Sequence, residues 1–440
     1  MLDQLRSLTP GEYEEATRHC LLDTLGCILY GATLEEGERV LEGIASFGAG
    51  SIPLPGSSVR LTPDAAALAM GTLAHLRELD DVHVSIIHPG AVIVPAAWCA
   101  AYDLNLTLGE LLDAIFVGYE AAARISRGIN YLQHREQGWH GTATICPFGA
   151  ALAVAHLQQL DRRSTLWALG IAGTRSGGTW AFAADGAMTK RLHPGMAARD
   201  GLQAAYLAKR GITGPEHILQ AEDGGLYPLM SRDWDLTHLW ADQVLPAVRD
   251  IEFKWYASCK SVHSPQEAAT ALYQQRMAAG LRGEVQSVKV QINSSAMHMA
   301  GRMYDPASIT SAQLSIPYGI ALALSGRDGS AANYTPELLA DEGLYRLASL
   351  VTMEVSPVMD ELRLKEQTSS ANVEVFWQDG TTSREFVKAA KGTIEKPLTG
   401  AEILTKFYAL AGSNLGEEGS HRLARLITQG ERSLPVREIV

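Results

Sequence analysis

Four stretches of the sequence combine titratable side chains with glycine, proline or small residues, as sites built on loops do. The first, HLRELDDVHVSIIHPGAV, holds Glu78, Asp80, Asp81, His83 and His88. Three carboxylates within four residues are costly to bury unless they meet cations. Because apolar runs flank this stretch on both sides, we expect it to line a charged pocket rather than to face water freely.

Two further stretches supply imidazole and cationic side chains. His140 in GWHGTATICPFGAA lies among glycines, which let a ligand approach the backbone, although a lone histidine is more often structural. ADGAMTKRLHPG groups Lys190, Arg191 and His193 after a stretch of glycine and small residues. Clustered cations in an acidic protein suit an anionic ligand, and a solvated basic turn is the alternative interpretation.

The fourth stretch, KWYASCKSVHSPQEAA, places Lys254, Lys260 and His263 just before a helix predicted to begin at Ser264 and Pro265. A helix N-terminus carries partial positive charge and free N–H groups, so it would add to an anion-binding site. Together the four stretches hold the groups needed to bind a polycarboxylate and move its α-proton. Lysine and arginine would stabilise the developing negative charge, and a histidine would take or return the proton.

Other chemistries find less support. The sequence has no GxSxG, no GxxxxGK[ST] and no GxGxxG after a strand, which argues against a serine hydrolase and a nucleotide-binding protein. The remaining rival is a metal site, because DDVH and His88 offer two carboxylates and two imidazoles at close spacing. The lysines of the other stretches would repel a metal ion, so we expect none.

Composition and charge bound the function further. The 440 residues are 46% hydrophobic and 20% charged, as in an ordinary globular protein, and a net charge of −12 opposes binding to nucleic acid. The start lacks a signal-peptide pattern and no uncharged apolar run could span a membrane, so we expect a cytoplasmic protein without a membrane partner. The five cysteines include no CxxC pair, which disfavours disulfides and a zinc site.

Mainly helical elements must position the four stretches. Thr107 and Thr399, each with a glutamate three residues later, are helix start signals ahead of runs rich in Ala and Leu. Strand signals are concentrated between about 285 and 395, where VEVFW runs into the turn Asp379-Gly380. At this length we expect two domains. The predicted architecture is an all-helical domain, residues 1–255 and 396–440, interrupted by a smaller α+β lid domain, residues 256–395.

Several segments, in chain order and over nearly the full length, resemble the MmgE/PrpD family. They are LLDTLGCILYGA, ELDDVHVSIIHPGAVIVPAA, GWHGTATICPFGAALA, GAMTKRLHPGMAARDGLQAAYLAKRG, and CKSVH with the later IPYGIALAL. The family includes 2-methylcitrate dehydratase, cis-aconitate decarboxylase and iminodisuccinate epimerase, which act on small polycarboxylates. The resemblance implies a helical domain with a smaller α+β lid domain, a homodimer and no cofactor.

The resemblance also implies which residues form the active site. Asp80 is predicted to be the catalytic acid group, with Glu78 as the alternative. Motif by motif, the resemblance assigns a catalytic role to His88, His140, Lys190, His263 and Tyr318. The side chains predicted to bind substrate are Glu78, Asp81, Arg191, His193, Lys254 and Lys260.

The reaction stays open between three alternatives within the family. DDVH stands where the dehydratases have NDTW, and Val82 stands where the decarboxylases have threonine. We place a dehydratase first, in which Lys190 and a further lysine hold carboxylates while His140 or His88 removes the α-proton. An epimerase and a decarboxylase follow. Outside the family, the alternatives are an inactive polyacid-binding protein and a metal-dependent hydrolase.

Overall fold

The computed structural model describes residues 4–5, 8–240, 246–281 and 284–439, and these residues form 18 α-helices and eight short β-strands. The first ten helices are α1 Glu14–Gly31, α2 Glu35–Ala45, α3 Pro63–His75, α4 Gly90–Asp103, α5 Leu108–Gly128, α6 Tyr131–Glu136, α7 Gly141–Leu157, α8 Arg162–Thr174, α9 Thr189–Lys209 and α10 Leu226–Met230. The others are α11 Lys260–Ala278, α12 Ser294–Ala300, α13 Ile309–Gln313, α14 Ile316–Leu324, α15 Pro336–Leu339, α16 Glu342–Ser349, α17 Pro357–Glu366 and α18 Gly400–Gln429. The strands are β1 Ala49–Pro53, β2 Arg60–Leu61, β3 Val82–His83, β4 Ile251–Glu252, β5 Val285–Ile292, β6 Val351–Val355, β7 Ala371–Trp377 and β8 Thr382–Val387. The prediction of a mainly α protein with an α+β second part is confirmed.

Capping side chains fix two of the predicted helix starts. At α5 the Thr107 hydroxyl oxygen accepts the N–H of Glu110, and the Glu110 carboxylate accepts the N–H of Thr107. Thr399 and Glu402 form the same reciprocal arrangement at α18. Each of these capping boxes provides acceptors for two N–H groups that would otherwise have no partner at the start of a helix.

The predicted start of α11 at Ser264 is wrong. The helix begins at Lys260 and runs through Pro265, so Lys260 and His263 lie on the helix rather than before it. One helical turn precedes the proline, at the cost of a backbone hydrogen bond. The sequence has no capping signal for this first turn, because the N-cap residue, Cys259, makes no capping hydrogen bond through its side chain.

The α4 helix packs against α1, α3, α5, α7 and α9, and its residues from Gly90 to Ala101 are all buried. A helix that is apolar on every side belongs in the interior. Even so, none of the described helices is both long and apolar enough to cross a membrane. The α9 and α3 helices cross so closely that a Cβ atom on Gly71 would lie 2.8 Å from the Cα atom of Gly195. Glycine at these two positions therefore permits the contact that brings the start of α9 to the end of α3.

The C-terminal part contains a four-stranded sheet in the order β6-β5-β7-β8. β5 is parallel to β6 and antiparallel to β7, and β7 forms a hairpin with β8. The turn of this hairpin contains Asp379-Gly380, as predicted, and Gly380 has a φ of +82° that favours glycine. Alternate residues Val288, Val290 and Ile292 of β5 are buried, which is the pattern of a strand with one face on a core.

The C-terminal helix α18 returns to the first part of the chain and packs against α1. Nζ of Lys406 in α18 lies 2.6 Å from Asp23 of α1 and 2.6 Å from the backbone oxygen of Leu79. Because α18 packs against the N-terminal helices, its position agrees with an α+β part inserted into a helical part. The domain boundaries themselves stay a prediction.

Candidate active site

A buried carboxylate lies among three cations. Lys190 and Arg191 both donate to Oε1 of Glu78, and Nζ of Lys254 lies 2.9 Å from Oε2. None of the four side chains is more than 4% exposed. Burial opposes charge on Glu78, but the three cations outweigh burial and hold the pKa of its carboxyl well below its usual range. This cation cluster therefore contains an ionised carboxylate.

The cation cluster has more positive than negative groups. Burial opposes charge on Lys254, yet the carboxylates of Glu78 and Asp80 outweigh it and raise the pKa of that lysine. At Lys190 burial prevails over the attraction of Glu78, and the pKa is lowered. A lysine destabilised in this way gains from a second anion. The cluster is therefore suited to bind a carboxylate.

Three distant segments form the cation cluster. Glu78 follows α3 with a φ of +54°, a left-handed conformation that is uncommon for a residue with a side chain. Lys190 and Arg191 belong to the first turn of α9. β3 and β4 pair antiparallel, which brings Lys254, two residues after β4, to the loop that carries Glu78.

Asp80 lies between two imidazoles. Nδ1 of His75 is 2.9 Å from its carboxylate, and Nδ1 of His88 is 3.3 Å from Oδ2. Burial favours the neutral acid, but the two imidazoles outweigh burial and hold the pKa of Asp80 well below its usual range. Nδ1 of His88 is also 2.8 Å from the backbone oxygen of Asp81, which can only accept, so this nitrogen carries a proton. Nε2 is then the nitrogen of His88 that could exchange a proton with a ligand, and the Asp80 carboxylate would stabilise a positive charge on this imidazole.

His140 and His193 form a second imidazole pair, with their Nδ1 atoms 2.9 Å apart. One nitrogen must donate and the other accept, so the pair shares a proton. Burial, and then the positive charge of neighbouring groups, holds the pKa of His140 well below its usual range, and the same causes lower that of His193 to about 4. Both imidazoles are therefore neutral near pH 7, and Nε2 is the nitrogen of His140 left for a ligand.

One cavity of about 60 Å³ connects the cation cluster with the imidazoles. Apolar side chains, including Val82, Met299 and Leu314, form part of its wall. Close contact with such groups lowers the local dielectric and strengthens electrostatic interactions inside. The cavity is lined by six of the predicted site residues: Glu78, His88, His140, Lys190, Lys254 and Lys260.

Three predicted residues are not among those found to line the cavity, but they contact residues that do. Asp80 holds His88, His193 holds His140, and Arg191 holds Glu78. Each of the three therefore has the geometry of a residue that positions a lining side chain.

Asp81 lies apart from the cavity, although it is adjacent to Asp80 in sequence. Its carboxylate accepts the N–H of Gly90 at 2.8 Å and the hydroxyl of Tyr119 at 2.7 Å. Burial raises the pKa of Asp81 to about 7. A Cβ atom on Gly90 would lie 2.6 Å from Oδ1 of Asp81, so only glycine allows this bond at the start of α4. The geometry favours a structural role over the predicted substrate contact.

His263 and Tyr318, both predicted to be catalytic, also lie apart from the described cavity lining. Nε2 of His263 is 3.2 Å from the backbone oxygen of Ser258, and burial lowers its pKa to about 3. The Tyr318 hydroxyl donates to the backbone oxygen of Asn333 at 2.7 Å. These contacts are those of buried structural side chains, and the catalytic roles of the two residues stay predictions.

The sequence analysis missed several residues of the site, among them one histidine and one arginine. His75 ends α3 and holds Asp80, and burial lowers its pKa to about 3. Its only local signal, a histidine at the end of an apolar helix, does not distinguish it from a core residue. Arg363 of α17 lines the cavity in a stretch of ordinary surface charges, so no sequence signal identified it.

His75, Asp80 and His88 could also be considered as metal ligands, since their ligand atoms lie within 4.8 Å of one another. Those atoms are already hydrogen-bonded to each other and to backbone. The other two groups of the proposed DDVH metal site do not belong to this cluster: Asp81 bonds Tyr119, and His83, which lines the cavity, contacts Ser85 at 2.7 Å. The donor set is therefore better explained by hydrogen bonding than by a metal ion.

The fold and the site together define a class of protein. A mainly helical chain encloses a cavity lined by buried lysines and by imidazoles whose neutral forms can exchange protons. These are the groups of an acid–base enzyme that acts on an anionic substrate.

The chain belongs to the MmgE/PrpD family, as the N-terminal domain of that family matches residues 4–238 and its C-terminal domain matches residues 256–430. It is 27% identical to cis-aconitate decarboxylase of Aspergillus terreus (strain NIH 2624 / FGSC A1156), over 96% of this chain and 90% of that protein. Cis-aconitate decarboxylase of Homo sapiens is 25% identical to it, over 94% of this chain and 86% of that protein. The chain is also 22% identical to 2-methylcitrate dehydratase of Escherichia coli (strain K12), over 85% of this chain and 80% of that protein. The predictions of this family and of an enzyme of its type are confirmed.

Proposed function

We propose that the protein is a lyase that decarboxylates a small unsaturated tricarboxylate such as cis-aconitate. The observation that carries this proposal is the cavity that joins Glu78, Lys190 and Lys254 to His88 and His140. The similar decarboxylases have higher identity and coverage than the similar dehydratases. The higher similarity supports the decarboxylase better than the dehydratase that we placed first from sequence.

The cation cluster supplies the electrostatic part of this reaction. When the bond between carbon and the departing carboxylate breaks, its electron pair stays on the substrate and spreads onto a neighbouring carboxylate. Lys190 and Lys254 would bind that carboxylate and stabilise its growing charge, and burial makes the effect larger than it would be in water. Carbon dioxide leaves as a neutral molecule and no oxidant is needed.

A histidine completes the reaction by returning a proton to carbon. His88 is placed for this role, because a proton on Nε2 would make an imidazolium that Asp80 stabilises. His140 offers a second route through the proton that it shares with His193. The histidine regains its proton from water before the next turnover.

A dehydratase is the second candidate function. Two separate imidazoles on one cavity could act as base and acid, one removing the α-proton and the other protonating the departing hydroxyl. The similarity to 2-methylcitrate dehydratase supports this candidate. A cytoplasmic location, a homodimer and independence of cofactors are further parts of the proposal.

Proton NMR in D2O with cis-aconitate and 2-methylcitrate as separate substrates distinguishes the two candidates. We expect cis-aconitate to lose carbon dioxide and gain one deuteron from solvent, and 2-methylcitrate to stay unchanged. Loss of water from 2-methylcitrate with no decarboxylation would make the dehydratase the function instead. No change in either acid would contradict both candidates.

Lys190→Ala tests whether the cation cluster is the site of the reaction, with Lys289→Ala as the matched control. Lys289 is exposed on β5 and does not line the cavity. We expect the Lys190 variant to lose turnover by about a hundredfold or more and the control to keep it. Equal activity of both variants would remove the cation cluster from the mechanism.

A further inference from the structure

Arg363 lines the same cavity as His88 and Lys190, although it comes from α17 in the C-terminal part of the chain. The side chain is half-buried. One nitrogen of its guanidinium donates to the backbone oxygen of Gln367 at 2.6 Å. In the part of the chain that the structure describes, no carboxylate pairs with Arg363, and a guanidinium has five N–H groups to offer. Most of its donors are therefore available to a ligand in the cavity.

A second cation lies near Arg363. Lys260, the first residue of α11, also lines the cavity, and burial followed by the positive charge of Arg363 lowers the pKa of its ammonium group to about 7. Glu252 pairs with Lys260 and compensates one of the two positive charges. The charge of Arg363 stays uncompensated among the described residues. An anion bound beside both cations would relieve their repulsion.

Neutral donors line the same cavity as the two cations. The hydroxyl side chains of Ser261, Ser295 and Ser369 line the cavity together with Arg363. Lys260 and Ser261 also begin a helix of 19 residues, whose N-terminus carries partial positive charge. Cations, hydroxyls and a helix N-terminus are together the groups that bind a carboxylate.

We propose that Arg363 and Lys260, with these serine hydroxyls, form a second carboxylate-binding site that selects tricarboxylates over dicarboxylates. The proposal rests on the proposed function, since it assigns one substrate carboxylate to the cation cluster of Glu78 and another to Arg363. A dicarboxylate can occupy the cation cluster without reaching Arg363. A tricarboxylate binds in addition through the guanidinium, so Arg363 determines specificity without taking part in proton transfer.

Binding of two unreactive acids tests this site without turnover. Tricarballylate is a saturated tricarboxylate, and 2-methylsuccinate has the same skeleton with one CH2COO− group replaced by methyl. Isothermal titration calorimetry would measure both acids with the wild type, Arg363→Gln and Arg363→Lys. We expect Arg363→Gln to weaken tricarballylate binding by about tenfold and to change 2-methylsuccinate binding by less than about twofold. Arg363→Lys should keep part of the tricarballylate affinity, because it keeps the charge and loses the forked geometry.

Arg346→Gln is the matched control, because Arg346 is 76% exposed and does not line the cavity. The control should bind both acids as the wild type does. Unchanged tricarballylate affinity in Arg363→Gln, or equal weakening of both acids, would overturn the second carboxylate site and leave the proposed function standing. If the wild type bound neither acid at millimolar concentration, the proposed substrate class would fail as well.

Discussion

Nζ of Lys254 lies 2.9 Å from Oε2 of Glu78, although the two residues are 176 positions apart in the chain. The pairing of β3 with β4 produces this contact by joining the loop after α3 to the segment before α11. Glu78 therefore has two functions: it neutralises part of the cation cluster, and it ties together segments that carry different parts of the site.

Glu78→Gln should destabilise the protein, because it leaves Lys190, Arg191 and Lys254 buried without their carboxylate. Removing one partner of a buried ion pair costs about 3 to 5 kcal/mol. The folded-state pKa of Glu78 lies below its ordinary value of 4.5, so its contribution to the free energy of unfolding is present above that value and is lost as pH falls further. Urea denaturation across the acidic range should therefore show a flatter pH dependence for the variant.

Glu361→Gln, at a side chain that is 62% exposed, should behave like the wild type. Equal stability of the two variants would contradict the role given to Glu78.

Asp80→Asn should lower kcat by about a hundredfold and leave KM within about threefold, because Asp80 orients His88 without lining the cavity. The amide keeps the shape of the side chain but cannot stabilise an imidazolium by charge. Steady-state kinetics with cis-aconitate, together with the dependence of kcat on pH, would measure the effect. A rise in KM at constant kcat would instead make Asp80 a substrate-binding residue.

His140→Gln and His193→Gln should differ in their effects on kcat. His140 lines the cavity, and His193 reaches it only through the shared proton between the Nδ1 atoms. We expect a loss of about a hundredfold for His140→Gln and about tenfold for His193→Gln. His217→Gln, at an exposed histidine, is the control for both. Indistinguishable activity of the His140 variant and the control would exclude His140 from proton transfer.

Asp81→Asn should make the stability of the protein less dependent on pH near neutrality. The pKa of Asp81 rises from an ordinary 3.8 to about 7 on folding, so the folded state binds more protons than the unfolded state between these values. The free energy of unfolding therefore falls as pH rises through this window, and an uncharged amide removes that loss. Urea denaturation from acidic to mildly alkaline pH would measure the change. Activity should be largely kept, in contrast to Asp80→Asn, and loss of activity with unchanged stability would return Asp81 to the site.

A chelator should leave activity unchanged, because in the proposed site lysine and arginine side chains meet the charge of the substrate. Dialysis against EDTA, followed by assay with and without added Zn2+ or Mg2+, would test this. Loss of activity that a metal ion restores would point to His75, Asp80 and His88 as ligands.

Residues from all four stretches lie around one cavity. Six of the predicted residues line one cavity, and the buried Glu78 carboxylate meets cations that offset the cost of burying a charge. The opposite roles of Asp80 and Asp81 could not be predicted. The two side chains leave the backbone in different directions, one toward His75 and His88 and the other toward Tyr119, and only the packing shows which direction leads to the cavity.

The sequence by itself determined the helical character of the chain, the family, and the supply of histidine and lysine for the site, because periodicity, capping and motifs are local properties. Only the tertiary structure decided that Lys254 meets Glu78, that His75 joins Asp80 and that Arg363 reaches the cavity. Those contacts depend on strand pairing and on the close crossing of α3 and α9. Contacts between distant segments arise from the packing of the whole chain, and no short stretch of sequence records them.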